Sequence, residues 1–96
     1  MPLTRIVKMV FQPDRISQFI QLFDLKKQLI RTFPGCEHLE LWQDIYDARI
    51  FFTYSRWSTE AALEAYRQSS FFLETWQATR QLFDEKPEAW TVIPRE

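Results

Sequence analysis

Glycine is nearly absent from this sequence, and its scarcity excludes two classes of protein. The chain has 96 residues and a single glycine, Gly35. Loops that cradle phosphate groups need several glycines, because their backbone N–H groups must approach the anion closely. The dinucleotide-binding and P-loop fingerprints are therefore excluded, and the sequence predicts no cofactor held by these devices.

Cysteine and histidine are equally scarce, with Cys36 and His38 the only residue of each type. One cysteine cannot form an internal disulfide, which favours a reducing compartment and a cytoplasmic location. Because the two residues share one strand face about 7 Å apart, they are too distant for a catalytic Cys–His pair. A zinc or iron ion would need carboxylates to complete its shell here, so we expect no metal site.

An excess of charge of one sign is also missing. The chain has 12 lysines and arginines against 13 aspartates and glutamates, which gives a net charge of −1. No run of basic residues forms the electrostatic surface that binds nucleic acid, so we expect no nucleic-acid partner. No apolar stretch is long enough to cross a bilayer, so we expect no membrane partner.

Aromatic residues, in contrast, make up 17% of the chain, with nine phenylalanines, four tryptophans and three tyrosines. Each ring can bury roughly 150–250 Å² of surface, which is a large amount for so short a chain. The length predicts a single domain, residues 1–96, with one modest core. Many of these rings must fill that core, and others are available to line a pocket.

The apolar periodicity predicts four strands and two helical layers. The first helix begins near Pro13 and Asp14 and ends at Pro34, and Pro87 precedes the last strand. The order β-α-β-β-α(α)-β is the ferredoxin-like α+β pattern, a four-stranded antiparallel sheet with its helices on one face. The predicted strands cover residues 4–11, 36–45, 49–57 and 89–93, and the later helical segments are capped by Ser58 or Thr59 and by Ser69 or Ser70.

Large apolar residues lie on both faces of the predicted strands. In the first strand Val7 and Met9 point one way, while Ile6 and Val10 point the other. A sheet with one face in water should alternate apolar and polar residues instead. We therefore expect the face without helices to pack against a second copy of the chain in a homodimer.

Residues 53–69 (TYSRWSTEAALEAYRQS) combine a strand ending in Ser-x-Trp, a Ser/Thr-Glu-x-Ala-Leu helix start and a Tyr-Arg-x-Ser segment. This combination resembles the antibiotic biosynthesis monooxygenase (ABM) family, and the resemblance extends over nearly the whole chain. It implies a dimeric α+β barrel, in which two ferredoxin-like sheets face each other. The motif is mostly structural, so it predicts the fold more specifically than the chemistry.

The family includes small oxygenases of aromatic compounds that use no metal or flavin, haem-degrading enzymes and proteins of unknown activity. The resemblance implies a cofactor-independent monooxygenase of a small electron-rich aromatic compound, such as a quinol or anthrone. Two alternatives stay open: a dimer that binds an apolar ligand without turnover, and an isomerase or lyase on the same barrel. Whether the chain is an enzyme at all also stays open.

The haem-degrading branch makes a test of individual residues possible. It requires an Asn on the first strand and a Trp and a His on either side of the Ser pair. The matching positions hold Lys8, Tyr66 and Trp76, so the proximal histidine ligand of the iron is missing. We therefore expect that the chain does not degrade haem.

The resemblance also suggests substrate-binding residues, in a pocket between the helices and the sheet. Tyr66 and Trp76 are the first candidates, because their rings could stack on a flat substrate. Tyr54 and Phe72 are further candidates, Tyr54 as a donor to an oxyanion. The alternative for the rings, and the favoured one for Phe72, is ordinary core packing.

His38 and Lys8 are the candidate catalytic residues. His38 has the only side chain whose ordinary pKa lies near neutrality, so it could remove a proton from a phenol or anthrone. Lys8 lies mid-strand, on the face that we assign to the helices, and could stabilise an enolate or phenolate oxygen. The alternatives are a solvent-facing or dimer-facing histidine and a lysine in an ordinary ion pair.

Overall fold

A computed structural model describes all 96 residues of the chain. Its sheet has the order β2-β3-β1-β4 with every neighbouring pair antiparallel, which is the ferredoxin-like arrangement expected from the sequence. The elements are β1 (Leu3–Phe11), α1 (Ile16–Arg31), β2 (Cys36–Gln43), β3 (Ile50–Trp57), α2 (Glu60–Arg67), α3 (Ser70–Arg80) and β4 (Phe83–Val92), with a 3₁₀ turn at Pro13–Arg15 before α1.

Side-chain caps set the starts of α2 and α3 where the sequence predicts them. The Thr59 hydroxyl accepts a hydrogen bond from the Ala62 backbone N–H at 3.0 Å. The Ser69 hydroxyl accepts one from the Phe72 N–H at 3.1 Å. Each cap satisfies a backbone donor that the first helical turn would otherwise leave without a partner. Thr59 and Ser69 are therefore the capping residues, and Ser70 is the first residue of α3.

The last strand begins earlier than the sequence predicts. β4 starts at Phe83 and contains Pro87, whereas the prediction has the proline precede a strand over residues 89–93. Proline lacks the N–H that a central strand must donate, but β4 is an edge strand and its register with β1 shifts between Lys8 and Val10. An edge position and an irregular ladder are the places where a strand tolerates proline.

The hairpin loop between β2 and β3 is longer than expected. β2 ends at Gln43, so Ile45 is not a strand residue and is 85% exposed. The Asp44 carboxylate accepts hydrogen bonds from the backbone N–H groups of Tyr46 and Asp47, at 2.9 and 2.8 Å. Such side-chain turns compete with strand pairing, which explains why the ladder stops at this point.

The two faces of the sheet have different surroundings. Met9 pairs with Phe51 on the face that α1, α2 and α3 cover, and both side chains are buried. The opposite face, here called the uncovered face, carries no helix. Its residues include Ile6, Lys8, His38, Glu40, Trp42, Phe52, Tyr54, Arg56, Trp90 and Val92.

The core lies between the covered face and the helices. Phe11 and Trp57 are the most deeply buried large side chains, and Phe11 stacks on Phe19 of α1 with ring centroids 4.0 Å apart. Gly35 has φ +89°, and a side chain there would collide with Ala62 of α2. The one glycine therefore permits both the turn into β2 and the close approach of α2. No helix combines the length and apolar character needed to cross a membrane.

Candidate functional site

A cavity of about 250 Å³ lies between the covered face of the sheet and the helices. Six aromatic side chains line it, namely Phe19 and Phe23 from α1, Trp57 from β3, Tyr66 from α2, and Phe72 and Trp76 from α3. Cavities lined by apolar and aromatic groups with a few polar atoms are typical binding sites for small molecules. This cavity is therefore the candidate functional site.

Ser69 fixes the relative positions of two of these rings. Its hydroxyl donates a 2.6 Å hydrogen bond to the Tyr66 carbonyl at the end of α2 and accepts one from the Phe72 N–H at the start of α3. The Ser69 side chain therefore satisfies a backbone carbonyl at the end of α2 and a backbone N–H at the start of α3. The short connection brings Tyr66 and Phe72 to the same wall, with ring centroids 5.0 Å apart.

Ring contacts continue this wall from the sheet to α3. Trp57 stacks on Tyr66 with centroids 4.8 Å apart, and Phe72 stacks on Trp76 with centroids 5.9 Å apart. Trp76 also meets Phe83 of β4 edge-on at 5.6 Å. Offset and edge-on pairs of this kind stabilise by about 0.5–1.5 kcal/mol each beyond their burial. The rings therefore hold one another in place around the cavity.

The cavity also has a small set of polar groups. Trp57 Nε1 donates to the Ser55 hydroxyl at 3.0 Å, so this indole is satisfied within the protein. The Thr75 hydroxyl oxygen is buried and has no hydrogen-bond partner. Buried polar atoms nearly always have partners, because leaving one unpaired costs about 1–3 kcal/mol. The Thr75 hydroxyl is therefore a polar group whose hydrogen-bonding capacity the folded chain leaves unused behind the cavity wall.

Burial keeps the Tyr66 phenol protonated. Desolvation raises the pKa of Tyr66 far above its ordinary value, and the nearby Cys36 thiol raises it further. Burial likewise raises the pKa of the Cys36 thiol. Near neutral pH, Tyr66 can therefore donate a hydrogen bond to an oxygen atom of a ligand, but it cannot act as a base.

Arg5 brings a positive charge to the cavity lining from β1. Its Nη1 donates a 2.7 Å hydrogen bond to the Thr91 hydroxyl of β4. Burial lowers the pKa of the Arg5 guanidinium, and the nearby Arg67 charge lowers it further. An arginine stays ionised even after such a shift, so the charge remains beside the cavity.

The structure brings three of the four predicted substrate-binding residues together. Tyr66, Trp76 and Phe72 all line the cavity, and all three also pack against the buried core. Core packing and pocket lining are therefore not alternatives for these rings. The same side chains do both, because the cavity is a gap within the core.

The fourth candidate, Tyr54, lies on the uncovered face and not at the cavity. Its ring stacks on Trp42 with centroids 4.9 Å apart. His38 is on the same face, and the centroids of the His38 and Tyr54 rings are 6.2 Å apart. The His38 Nε2 atom contacts the Glu40 carboxylate. The hydrogen bonds from His38 and Trp42 lower the pKa of Glu40. The sheet therefore separates His38 and Tyr54 from Tyr66 and Trp76.

The assignment of Lys8 to the helix side is wrong. Lys8 pairs with Phe52 of β3, on the uncovered face, and its Nζ lies 3.8 Å from the Glu88 carboxylate. The β1 residues that line the cavity are instead Arg5, Val7 and Met9. Because strand side chains alternate, choosing the wrong face as the covered one places Lys8 on the wrong side of the sheet.

The expectation that Cys36 and His38 share one face is also wrong. Cys36 packs against the core, whereas His38 lies on the uncovered face. The register between β2 and β3 shifts between these two residues, since Cys36 pairs with Trp57 but His38 pairs with Arg56. An extra residue in one strand breaks the alternation, and the sequence holds no clear signal for it.

Sequence reasoning missed Arg5, Ser55, Arg67 and Thr75 among the polar residues of the cavity lining. A signal for Arg5 was present, because it precedes Val7 and Met9 at a spacing of two and so belongs to their face. Ser55 could have been found in the same way, two residues before the buried Trp57. Thr75 adjoins Trp76 in a helix, where one position of difference changes the direction of a side chain by about 100°.

The comparisons with known proteins agree with this architecture. The family model described as antibiotic biosynthesis monooxygenase matches residues 2–81. The fold is the ferredoxin-like α+β class, and the chain belongs to the antibiotic biosynthesis monooxygenase family. No curated protein matches the sequence.

Several solved structures share the fold at low sequence identity. Rv0793 from Mycobacterium tuberculosis has a TM-score of 0.90 at 21% identity, covering 100% of this chain and 97% of its own. A conserved protein from Methanosarcina mazei has a TM-score of 0.93 at 17% identity, covering 99% and 94%. SnoaB, a cofactor-independent oxygenase from Streptomyces nogalater, has a TM-score of 0.88 at 16% identity, covering 99% and 94%.

Proposed function

We propose that this chain is a monooxygenase of a small, electron-rich aromatic compound such as a quinol or anthrone, and that it needs no cofactor. The observation that carries the proposal is the cavity, whose aromatic wall includes Trp57, Tyr66, Phe72 and Trp76. Such a wall fits a flat aromatic molecule. Membership of the family and the fold shared with a cofactor-independent oxygenase support the reaction type.

In the proposed reaction the substrate supplies all the electrons. An anthrone-type substrate loses a proton, and the resulting anion transfers one electron to O₂. The substrate radical and superoxide combine to form a carbon–oxygen bond, and the protonated peroxide then loses water to leave a carbonyl group. One oxygen atom enters the product and the other leaves as water, so no external reductant is needed.

The protein groups of the cavity have limited roles in this scheme. The four rings hold the substrate plane and exclude water, which favours recombination of the radical pair over its escape. The protonated Tyr66 phenol donates a hydrogen bond to a substrate oxygen. We assign acceptance of the substrate proton to solvent at the cavity opening, because neither His38 nor Lys8 lines the cavity.

Oxygen uptake with anthrone tests the proposal. We expect the wild-type chain to consume O₂ and to form anthraquinone faster than buffer alone. Trp76→Leu removes a stacking partner worth about 0.5–1.5 kcal/mol, so the rate at low substrate concentration should fall by up to about tenfold. Leu73→Ala is the matched control, because Leu73 lies on α3 but is 55% exposed and does not line the cavity.

Two results would reject the oxygenase proposal in favour of the other functions. Tight binding of anthrone with no oxygen uptake above the buffer rate would favour a ligand-binding protein. Conversion of a substrate at the same rate under argon as under air would favour an isomerase or lyase, because neither reaction consumes O₂.

We also propose that the chain forms a homodimer through the uncovered face, in a cytoplasmic setting that suits the unpaired Cys36. Trp42, Trp90 and Val92 are 44%, 46% and 42% exposed, and they share this face with Ile6, Phe52 and Tyr54. A grouped apolar patch of this kind marks an interface. The typical dimeric assembly of the family supports the same pairing.

Light scattering after size exclusion tests the dimer. We expect twice the chain mass at micromolar concentration for the wild type, and the single-chain mass for Trp90→Glu, which places a charge in the interface. Leu25→Glu is the control, because Leu25 is 72% exposed on α1, away from the sheet. A wild-type particle of single-chain mass would reject the dimer.

A further inference from the structure

The guanidinium of Arg5 is a half-buried charge without a carboxylate partner. None of the ion pairs within 4.0 Å includes Arg5, and its side chain bonds only the neutral Thr91 hydroxyl. Burying a charge is costly unless an opposite charge offsets it, and Arg5 is partly buried. Arg5 lines the cavity, so a bound molecule could supply the missing negative charge.

A second arginine also contributes to the cavity lining. Arg67, at the end of α2, also lines the cavity, and its positive charge acts on Arg5. Glu64 offsets this pair only in part, because its carboxylate is 3.6 Å from Arg67 Nη1 and must serve both cations. Glu88 also lines the cavity, but it faces the Lys8 ammonium at 3.8 Å. Counting Arg5, Arg67 and Lys8 against Glu64 and Glu88, the net charge at this end of the cavity is therefore positive.

We infer that Arg5 and Arg67 form an anion-binding end of the cavity, and that the ligand is an aromatic carboxylate whose rings lie against Tyr66 and Trp76. The inference deepens the proposed function and rests on it for the choice of this cavity as the ligand site. It names the class of substrate: a flat aromatic body that carries a carboxylate at one end.

A carboxylate fits this end of the cavity better than a neutral polar group does. Guanidinium groups present parallel N–H donors that match the two oxygens of a carboxylate. Arg67 has a side chain that is 43% exposed, so the charged end of the ligand can stay near solvent while its rings enter the apolar part. The ligand carboxylate also offsets the repulsion between the two arginines.

Calorimetric titration with two ligands of equal shape tests this inference. Naphthoate carries the carboxylate, and naphthalenemethanol replaces it with a neutral alcohol. We expect the wild-type chain to bind naphthoate about tenfold more tightly, as one charge-assisted contact predicts. Added sodium chloride should weaken naphthoate binding and leave the binding of the alcohol unchanged.

Variants that remove one positive charge show which arginine causes the preference for naphthoate over the alcohol. Arg5→Gln should abolish most of the tenfold ratio of naphthoate affinity to alcohol affinity, with both affinities measured on the same variant. Arg67→Gln should reduce the ratio in part, and its exposed position makes it the safer variant for folding. Arg80→Gln is the matched control, since it removes the same charge from α3 at an exposed residue that does not line the cavity.

The outcomes separate this inference from the proposed oxygenase function. No preference for naphthoate in the wild type, or a preference that survives Arg5→Gln together with Arg67→Gln, would overturn it. Because the titration needs no turnover, a charge-dependent preference supports the inference even if anthrone oxidation fails. Oxidation of anthrone without any carboxylate preference would support the oxygenase and refute the anion-binding end.

Discussion

The indole of Trp57 stacks on the phenol ring of Tyr66 with ring centroids 4.8 Å apart and planes inclined by 29°. This pair joins β3 to α2, and both side chains are buried. The Trp57 N–H, at the edge of the stack, donates to the Ser55 hydroxyl on the same strand. The stacked pair therefore connects β3 to α2 at the cavity wall, and the hydrogen bond to Ser55 orients the Trp57 indole within that pair.

Replacing Ser55 tests that hydrogen bond. Ser55→Ala leaves the buried Trp57 N–H without an acceptor, so we expect the free energy of unfolding to fall by about 1–3 kcal/mol. Urea unfolding measures the change. In the Trp57→Phe background, which has no indole N–H, the same replacement should cost much less. Equal costs in the two backgrounds would show that the hydrogen bond contributes no stability.

The buried phenol of Tyr66 predicts a dependence of stability on alkaline pH. The pKa of Tyr66 is raised in the folded chain, whereas in the unfolded chain it is about 10. The unfolded state therefore loses its proton first, so this contribution to stability is complete below about pH 10 and is lost as the pH rises towards the folded pKa.

Tyr66→Phe removes this titration while preserving the ring. We expect the variant to lose less stability than the wild type between neutral pH and about pH 11 in urea unfolding. Tyr46→Phe is the control, because Tyr46 is 91% exposed. A wild type and a Tyr66→Phe variant with parallel stability curves would contradict the prediction.

The sequence predicted the fold better than the site, and the reason is physical. Strand and helix order follow from periodicity, and helix starts follow from hydroxyl caps such as Thr59 and Ser69. The face on which Lys8 lies depends on which side the helices cover, and both sides carry apolar residues. The bulge between Cys36 and His38 places Cys36 on the covered face, opposite to the face predicted for it. Nothing in the local sequence requires that bulge.

The Ser69–Ser70 pair is a second case in which the sequence predicts a feature, the cap of α3, but does not decide which residue provides it. Either serine could cap α3, and the structure gives the role to Ser69, whose hydroxyl bonds both Tyr66 and Phe72. We expect Ser69→Ala to lower the free energy of unfolding by about 1 kcal/mol, as a lost N-cap does. Ser70→Ala, at an exposed first helical residue, should stay within about 0.5 kcal/mol. Equal losses in urea unfolding would reject the assignment.

His38 provides the sharpest test of which residues act in the cavity. A general base contributes about 10²–10⁴-fold to a rate, so its removal would reduce anthrone oxidation by at least about a hundredfold. His38 lies on the uncovered face, and the sheet separates it from Tyr66 and Trp76. We therefore expect His38→Gln to keep oxygen uptake within about twofold of the wild type, far smaller than the loss of a base.

The measurement compares His38→Gln with Lys8→Met at equal protein concentration, with the mass of each variant checked by light scattering. Both residues lie on the uncovered face. A variant that weakens the pairing of two chains should therefore lower the particle mass in light scattering as well as the rate of oxygen uptake. A hundredfold loss in His38→Gln with unchanged mass would instead identify His38 as the base. Because the sheet lies between His38 and the cavity, that result would also reject the cavity as the site of the reaction.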